Sequence, residues 1–121
     1  MFKLASVASF RRTVTVRVPR DDLADAWDAH DFVARFRALT DEEARQFDAR
    51  RRALTPEQLA DDPHALLREI VIGWDDVVDA AGAPVPFSAD ALSRLLAIPW
   101  VPPALLEAWR AGLAGEPRRG N

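Results

Sequence analysis

The sequence contains no cysteine and only two histidines, so the side chains that most often build thiol active sites and metal centres are scarce. Without cysteine the chain forms no disulfide, no thiolate nucleophile and no zinc–thiolate site. The five glycines are scattered along 121 residues, and no glycine-rich phosphate-binding loop occurs among them. No uninterrupted run of about 18 apolar residues is present, so we predict no transmembrane helix.

The composition fits one small folded domain. Hydrophobic residues make up 49% of the chain and charged residues 29%, with a net charge of −3. This combination is typical of a globular chain, because disordered chains are poorer in apolar residues and carry more net charge. The negative balance predicts no nucleic-acid binding, because phosphate contacts need clustered Lys and Arg. We predict a single domain over residues 1–114 and a flexible polar tail over residues 115–121.

Two segments near the N-terminus, residues 11–18 and 31–38, alternate in the way typical of β-strands. Every second residue is apolar, namely Val14, Val16 and Val18 in the first segment and Phe32, Ala34, Phe36 and Ala38 in the second. We predict an antiparallel pair joined by about a dozen residues. A pair of strands alone is marginal in water, so it needs a packed helix or a third strand. Residues 3–9 or another copy of the chain are the candidates for that strand.

Four helices are predicted to follow, over residues 41–53, 63–73, 89–96 and 103–112. Thr40 followed three residues later by Glu43 forms a capping box, and Ser88 is a typical N-cap. Thr55 followed by Pro56 predicts one further short turn. The second helix carries the most apolar face, formed by Leu66, Leu67, Ile70, Val71 and Trp74, which places the core there. The predicted fold class is α+β, a small antiparallel sheet packed on a bundle of short helices.

The titratable residues form no pattern typical of a catalytic or metal-binding site. The acidic run that begins at Asp75 resembles a calcium loop, but its twelfth position is Pro86 and not the glutamate of an EF-hand. His30 and His64 lie far in sequence from the serines of the third predicted helix, so no nucleophile and base pair is indicated. We therefore predict no enzyme, no metal and no cofactor.

Aromatic residues are the main candidates for a binding surface. The chain has four tryptophans and six phenylalanines but no tyrosine, and three of the tryptophans lie in the C-terminal half. Either all of them belong to the core, or some line an apolar groove, since Trp is enriched at binding hot spots. A domain this small cannot easily bury every large aromatic residue. The residues predicted to line a partner-binding groove are Phe87, Leu92, Leu95, Trp100, Leu105 and Trp109.

The segment GWDDVVDAAGAPVPFSADALSRLLAIPWV, residues 73–101, resembles the tail assembly chaperones of long-tailed bacteriophages and prophages. That family carries a Gly-Trp pair, a hydrophobic and acidic stretch, a loop of the type D-x-x-G-x-P-V-P-F-S and a leucine-rich helix. The matching residues are Gly73, Trp74, Val77, Val78, Asp79, Gly82, Pro84, Val85, Pro86, Phe87, Ser88, Leu92, Leu95 and Leu96. The strand segments and the TDEE helix start extend the resemblance over about residues 10–113.

The resemblance implies a non-catalytic chaperone that binds the long, helical tape measure protein in the cytoplasm of the bacterial host. Such chaperones keep the tape measure protein soluble during tail morphogenesis and are absent from the mature virion. The implied partners are apolar helical segments of the tape measure protein, with the tail tube protein and a second copy of this chain as further candidates. Neither a nucleic acid nor a membrane is an expected partner.

Two other interpretations stay open. One is a different phage morphogenesis protein, such as a tail completion or connector protein. The other, less favoured, is a helix-turn-helix DNA-binding regulator built on residues 88–113. A DNA-reading second helix should present Arg, Lys, Gln or Asn near its N-terminus, whereas this one presents Pro102, Pro103 and Glu107 before its single Arg110.

Overall fold

A computed structural model describes residues 8–117, which form a three-stranded antiparallel sheet and five helices. The elements in chain order are β1 (Ser9–Pro19), β2 (Trp27–Arg37), α1 (Asp41–Arg52), α2 (Pro56–Asp61), α3 (Ala65–Ile70), β3 (Val71–Asp75), α4 (Ala89–Leu96) and α5 (Val101–Leu113). The predicted α+β fold class is confirmed. None of the helices within residues 8–117 has the length and hydropathy that a membrane-spanning helix needs.

β1 and β2 pair in antiparallel fashion along their whole length, from Ser9 opposite Arg37 to Pro19 opposite Trp27. The apolar alternation buries one face of this pair, and Ala34 and Phe36 are both completely inaccessible to solvent. β2 begins four residues earlier than predicted, so the connection spans only residues 20–26 and is shorter than the predicted dozen. Asp25 takes a left-handed conformation in this turn, with φ of 59°.

The third strand comes from a segment that was predicted to be helical. The helix predicted over residues 63–73 ends at Ile70 in the structure, and β3 then pairs with β2, where Trp74 lies opposite Ala34. The helix prediction is therefore wrong beyond Ile70. The β-branched pair Val71 and Ile72 favours a strand, and the free edge of β2 supplies backbone partners that an isolated segment lacks. Of the alternative third strand at residues 3–9, Ser9 belongs to β1 and residues 3–7 lie outside the described residues.

The core lies between the inner face of the sheet and the helices α3, α4 and α5. Its largest fully buried side chains are Phe36, Ile70, Leu96, Leu105 and Val14. α5 approaches β1 so closely that a Cβ on Gly112 would overlap the ring of Phe10. This glycine therefore permits the contact between α5 and the sheet, since any larger residue would displace the Phe10 ring.

The helix starts follow local signals in the sequence. The capping box of α1 is present, with the N–H of Glu43 donating to Thr40 Oγ1 at 3.1 Å and the N–H of Thr40 donating to Glu43 Oε1 at 3.1 Å. A second capping box starts α2 at Thr55, and the Ser88 hydroxyl caps α4. α5 begins two residues before its predicted start. Proline is tolerated in a first helical turn because its missing N–H has no partner there. The predicted tail of residues 115–121 lies partly outside the described residues.

Candidate functional site

The helices α3, α4 and α5 border an open apolar groove with a volume of about 840 Å³. Its walls are formed chiefly by Pro63, Leu66, Pro99, Pro102, Pro103 and Leu106. The volume lies within the range of roughly 300–1,000 Å³ that is typical of ligand pockets. The apolar groove is thus large enough to take up hydrophobic side chains of a partner.

One wall of the apolar groove is rigid because the connection between α4 and α5 is short and rich in proline. The N–H of Ile98 donates to the carbonyl of Leu95 at 3.1 Å, and the N–H of Val101 donates to the carbonyl of Ile98 at 3.0 Å. Two successive hydrogen-bonded turns therefore connect α4 directly to α5. Pro99 and Pro102 fix their own backbone φ angles within this wall, so little conformational entropy remains to be lost on binding.

Two large apolar side chains beside this wall are open to solvent. Ile98 is 43% exposed and Trp100 is 41% exposed, and both flank Pro99, which lines the apolar groove. Trp supplies large contact area at low entropic cost, which is why it is frequent at binding hot spots. Ile98 and Trp100 thus extend the apolar surface beyond the groove itself.

Two of the polar residues at the apolar groove, Arg68 and Ser93, are already engaged, and His64 is the third polar residue of its lining. The Arg68 guanidinium donates from Nε to Asp62 Oδ1 at 2.9 Å and from Nη1 to Ser93 Oγ at 2.6 Å. These bonds join α3 to the loop before it and to α4. The positive charge of Arg68 is therefore compensated inside the protein, and the groove walls present mainly hydrocarbon to an incoming segment.

The six residues predicted for the partner site are not gathered into one groove. Leu92 is 3% exposed and Leu105 is fully buried, because the faces of α4 and α5 that carry them pack into the core. Neither lines an open surface, contrary to the prediction. Leu95 is partly buried against the same core, and Trp100 is the member of the set that is exposed beside the apolar groove.

Phe87 and Trp109 have structural contacts that account for their partial burial. The Phe87 ring meets the Trp74 ring edge-on at a centroid distance of 4.9 Å. The indole Nε1 of Trp109 donates to the carbonyl of Arg37 at 3.1 Å, which ties α5 to the end of β2. Both aromatic residues therefore hold elements together, and neither lines the apolar groove.

The residues of the apolar groove that the prediction missed belong to α3 and to the proline-rich connection. Leu66 was assigned to the core because it lies on the most apolar helical face, yet it is only partly buried and lines the groove. A signal for the wall was available in the sequence, where three prolines occur within residues 99–103 beside Ile98 and Trp100.

The loop between β3 and α4, which contains the motif residues Asp79, Gly82 and Val85, is a compact turn built on Asp79. Its Oδ1 atom accepts the N–H groups of Ala81 at 2.9 Å and Ala83 at 3.0 Å. Gly82 has φ of 82°, a left-handed conformation that favours glycine. The indole Nε1 of Trp74 donates to the carbonyl of Val85 at 2.8 Å and pins the loop to β3. In this structure the motif residues thus shape and anchor a loop.

The strongest charge cluster joins β2, α1 and α3. The Arg37 guanidinium pairs with Glu43 and lies 3.1 Å from Glu69 Oε1, which also accepts from Arg50 at 3.3 Å. The hydrogen bond to Glu43 raises the pKa of Arg37. The pKa of Glu43 is lowered, first by the N–H of Thr40 and then by Arg37. Within residues 8–117, no group of three or more His, Asp or Glu side chains is placed to hold a metal ion.

No protein-family model, curated protein or solved structure matches this chain.

Proposed function

We propose that this protein is a non-catalytic tail assembly chaperone that binds apolar helical segments of a tape measure protein and keeps that protein soluble in the cytoplasm of the bacterial host. The observation that carries the proposal is the apolar groove between α3, α4 and α5, extended by the exposed side chains of Ile98 and Trp100. The resemblance over residues 73–101 supplies the identity of the partner.

The apolar groove suits an amphipathic helix better than a small polar molecule. A helix presents its apolar residues at positions i, i+3, i+4 and i+7, and it binds by placing that face in a hydrophobic groove. The groove walls are mainly leucine and proline, and the charge of Arg68 is already paired with Asp62. A chaperone that must release its client also gains from an open groove, because burial there is partial and reversible.

Co-expression is the direct test. The tape measure protein encoded in the same gene cluster as this chain is expressed alone and together with this chain. Its soluble fraction is then measured after centrifugation. The proposal expects a clear rise in soluble tape measure protein when both are present. An unchanged soluble fraction, or a gene cluster without a tape measure gene, would contradict the proposed function.

A matched pair of variants tests whether the apolar groove is the binding site. Ala97 and Ala53 are both exposed C-cap residues with similar backbone angles, φ −72° and ψ −14° for the first and φ −77° and ψ −9° for the second. Only Ala97 lines the apolar groove. Ala97→Arg places a cation among its apolar walls and should abolish the solubilisation, whereas Ala53→Arg should leave it intact. Equal behaviour of the two variants would exclude the groove as the binding site.

The composition of purified virions separates this proposal from the other morphogenesis role. A chaperone is released before the tail is complete, so mass spectrometry of mature particles should find no stoichiometric amount of this chain. A tail completion or connector protein would remain in the particle. Detection of the chain at the level of a structural component would therefore replace the chaperone proposal with that alternative.

A further inference from the structure

Within residues 8–117, the outer edge of β1 is not paired with another strand. The N–H of Ala38 donates to the carbonyl of Ala8 at 2.9 Å, and the N–H of Arg20 donates to the carbonyl of Ala26 at 2.9 Å. These bonds mark the two ends of one continuous register. In an antiparallel pair, bonded residues alternate with residues whose backbone groups face away. The even-numbered residues of β1 therefore face β2, and the odd-numbered ones face outward.

The outward-facing backbone groups belong to Ser9, Arg11, Thr13, Thr15 and Arg17. The strand order is β1, β2, β3, so within residues 8–117 no other strand lies on this side of β1. A run of unpaired N–H and C=O groups is a template for a further strand. The length of β1, 11 residues, is long for an edge that stays unpaired.

α5 lies beside this edge and turns it into a groove, which we call the edge groove. Its volume is about 730 Å³, and it is bounded by Thr13, Thr15 and Arg17 on β1 and by Ala104, Ala108 and Ala111 on α5. The alanine side chains of α5 leave room beside the strand. Glu107 and Arg110 of α5 also line the edge groove, so this wall carries one charge of each sign. A strand edge facing a helix is the arrangement in which PDZ domains bind an extended peptide as an added strand.

The charges along the outer edge of β1 disfavour a second copy of this chain and favour an acidic partner. Arg11 and Arg17 are exposed, and their side chains lie on the same outer face as Thr13 and Thr15. Arg11 is 3.7 Å from Asp75, whereas Arg17 forms no ion pair with any of residues 8–117. If two copies paired antiparallel about this edge, centred on residue 14, Arg11 of each would face Arg17 of the other. Like charges directly opposite destabilise a strand pair.

We propose that the edge groove binds an extended segment of a partner protein, which adds as an antiparallel strand to β1 and carries acidic residues opposite Arg11 and Arg17. Because these arginines are six residues apart on one face, the acidic residues of the partner are also six apart. The residues between them that point toward α5 are small or β-branched, since they meet Ala104, Ala108 and Ala111. This proposal does not depend on the chaperone function, because it uses β1 in place of the leucine and proline walls of the apolar groove.

A designed peptide tests the proposal with the full-length chain. The probe is a fluorescein-labelled peptide of sequence Glu-Val-Thr-Val-Thr-Val-Glu, and its control has Lys in place of both Glu residues. Fluorescence anisotropy should show saturable binding of the acidic peptide that weakens as salt is raised, because exposed charge pairs are screened. The lysine peptide should bind at least about tenfold more weakly.

Two matched variants separate backbone pairing from charge. Thr15→Pro removes an outward N–H without removing a bond to β2, and it should abolish binding, while Thr15→Val keeps that N–H and should bind normally. Arg17→Glu should weaken binding of the acidic peptide and strengthen binding of the lysine peptide. An unfolded variant could not produce this reversal of preference. Thermal melting of each variant confirms that the fold is retained.

The proposal is overturned if the acidic peptide does not bind or if Thr15→Pro binds it as the wild type does. It is also overturned if sedimentation shows a dimer of this chain that Thr15→Pro dissociates, since the edge would then belong to a second copy. Solubilisation of the tape measure protein is measured separately and tests only the apolar groove.

Discussion

The two longest helices of the protein, α1 and α5, have almost the same length but are stabilised in different ways. α1 has 12 residues and none of them is buried, whereas α5 has 13 residues and buries Val101, Leu105 and Ala108. α1 has a capping box, three acidic residues in its first turn and three arginines in its last turn. α5 has no side-chain cap at its N-terminus. Local sequence supports the first helix, and tertiary packing supports the second.

The two helices should differ in stability because capping contributes less free energy than the burial of apolar side chains. An N-cap is worth about 1 kcal/mol, while full burial of one leucine side chain is worth about 1.5–3 kcal/mol. A helix without buried residues depends mainly on its own caps and charges and on partly exposed ion pairs such as Arg50 with Glu69, and such helices open locally at low cost. We therefore expect α1 to exchange its amide hydrogens faster than α5 in the native state.

The largest effect should come from the packed helix. Leu105→Ala removes a fully buried side chain of α5 and should lower the free energy of unfolding by about 2–5 kcal/mol, because it loses burial and leaves a cavity. Leu113→Ala is the control in the same helix. Its side chain is 48% exposed, so the free energy of unfolding should change by less than about 0.5 kcal/mol. Urea denaturation measures both, and similar losses would contradict the packing account.

A smaller effect should come from the cap of α1. Thr40→Ala removes the acceptor for the N–H of Glu43 and should cost about 1 kcal/mol. Thr40→Ser keeps a hydroxyl acceptor and should be close to the wild type. Hydrogen exchange should locate the Thr40→Ala effect in residues 41–52, with the amides of α5 unchanged. Equal acceleration in both helices would show that α1 is part of the cooperative core.

The smallest effect should appear in the pH dependence of the stability that Glu43 of α1 contributes. The pKa of Glu43 is lowered in the folded protein, first by the N–H of Thr40 and then by Arg37. Ionised Glu43 therefore stabilises the native state above its unfolded pKa, and this contribution is lost as the pH falls through the lowered folded value. Glu43→Gln keeps a capping-box partner without the charge.

The measurement for Glu43 is the melting temperature of wild type and Glu43→Gln between about pH 7 and about pH 3. The wild type should melt at the higher temperature near neutral pH, and the gap should close as the pH is lowered. A gap that stays constant over this range would show that the ionisation of Glu43 does not contribute to stability.

The elements that the sequence predicted well are those with strong local signals. The alternation around Val14 and Val16 and around Phe32 and Phe36 predicted β1, β2 and the face that each strand buries. The capping residues Thr40, Thr55 and Ser88 predicted three helix starts. These signals work because the backbone conformation at each position depends on residues that are close in the chain.

The part of the fold that the prediction missed depends on residues far apart in the chain. Val71–Asp75 has an apolar pattern compatible with helix or strand, and only the free edge of β2 decides between them. The apolar groove is a similar case, because Leu66 and Leu106, which both line it, are 40 residues apart in the chain. The sequence pattern does not distinguish Leu92 and Leu105 from surface leucines, because their burial depends on how α4 and α5 pack against the sheet.

The amino-acid sequence by itself determined the two long strands, most of the helix boundaries and the α+β class, because alternation, caps and prolines act over a few residues. The tertiary structure alone decided that β3 is a strand, which leucines are buried and which remain in the apolar groove, and that no other strand of residues 8–117 covers the outer edge of β1 beside α5. Those outcomes depend on which elements from distant parts of the chain pack together, because apolar side chains gain burial free energy only when that packing forms.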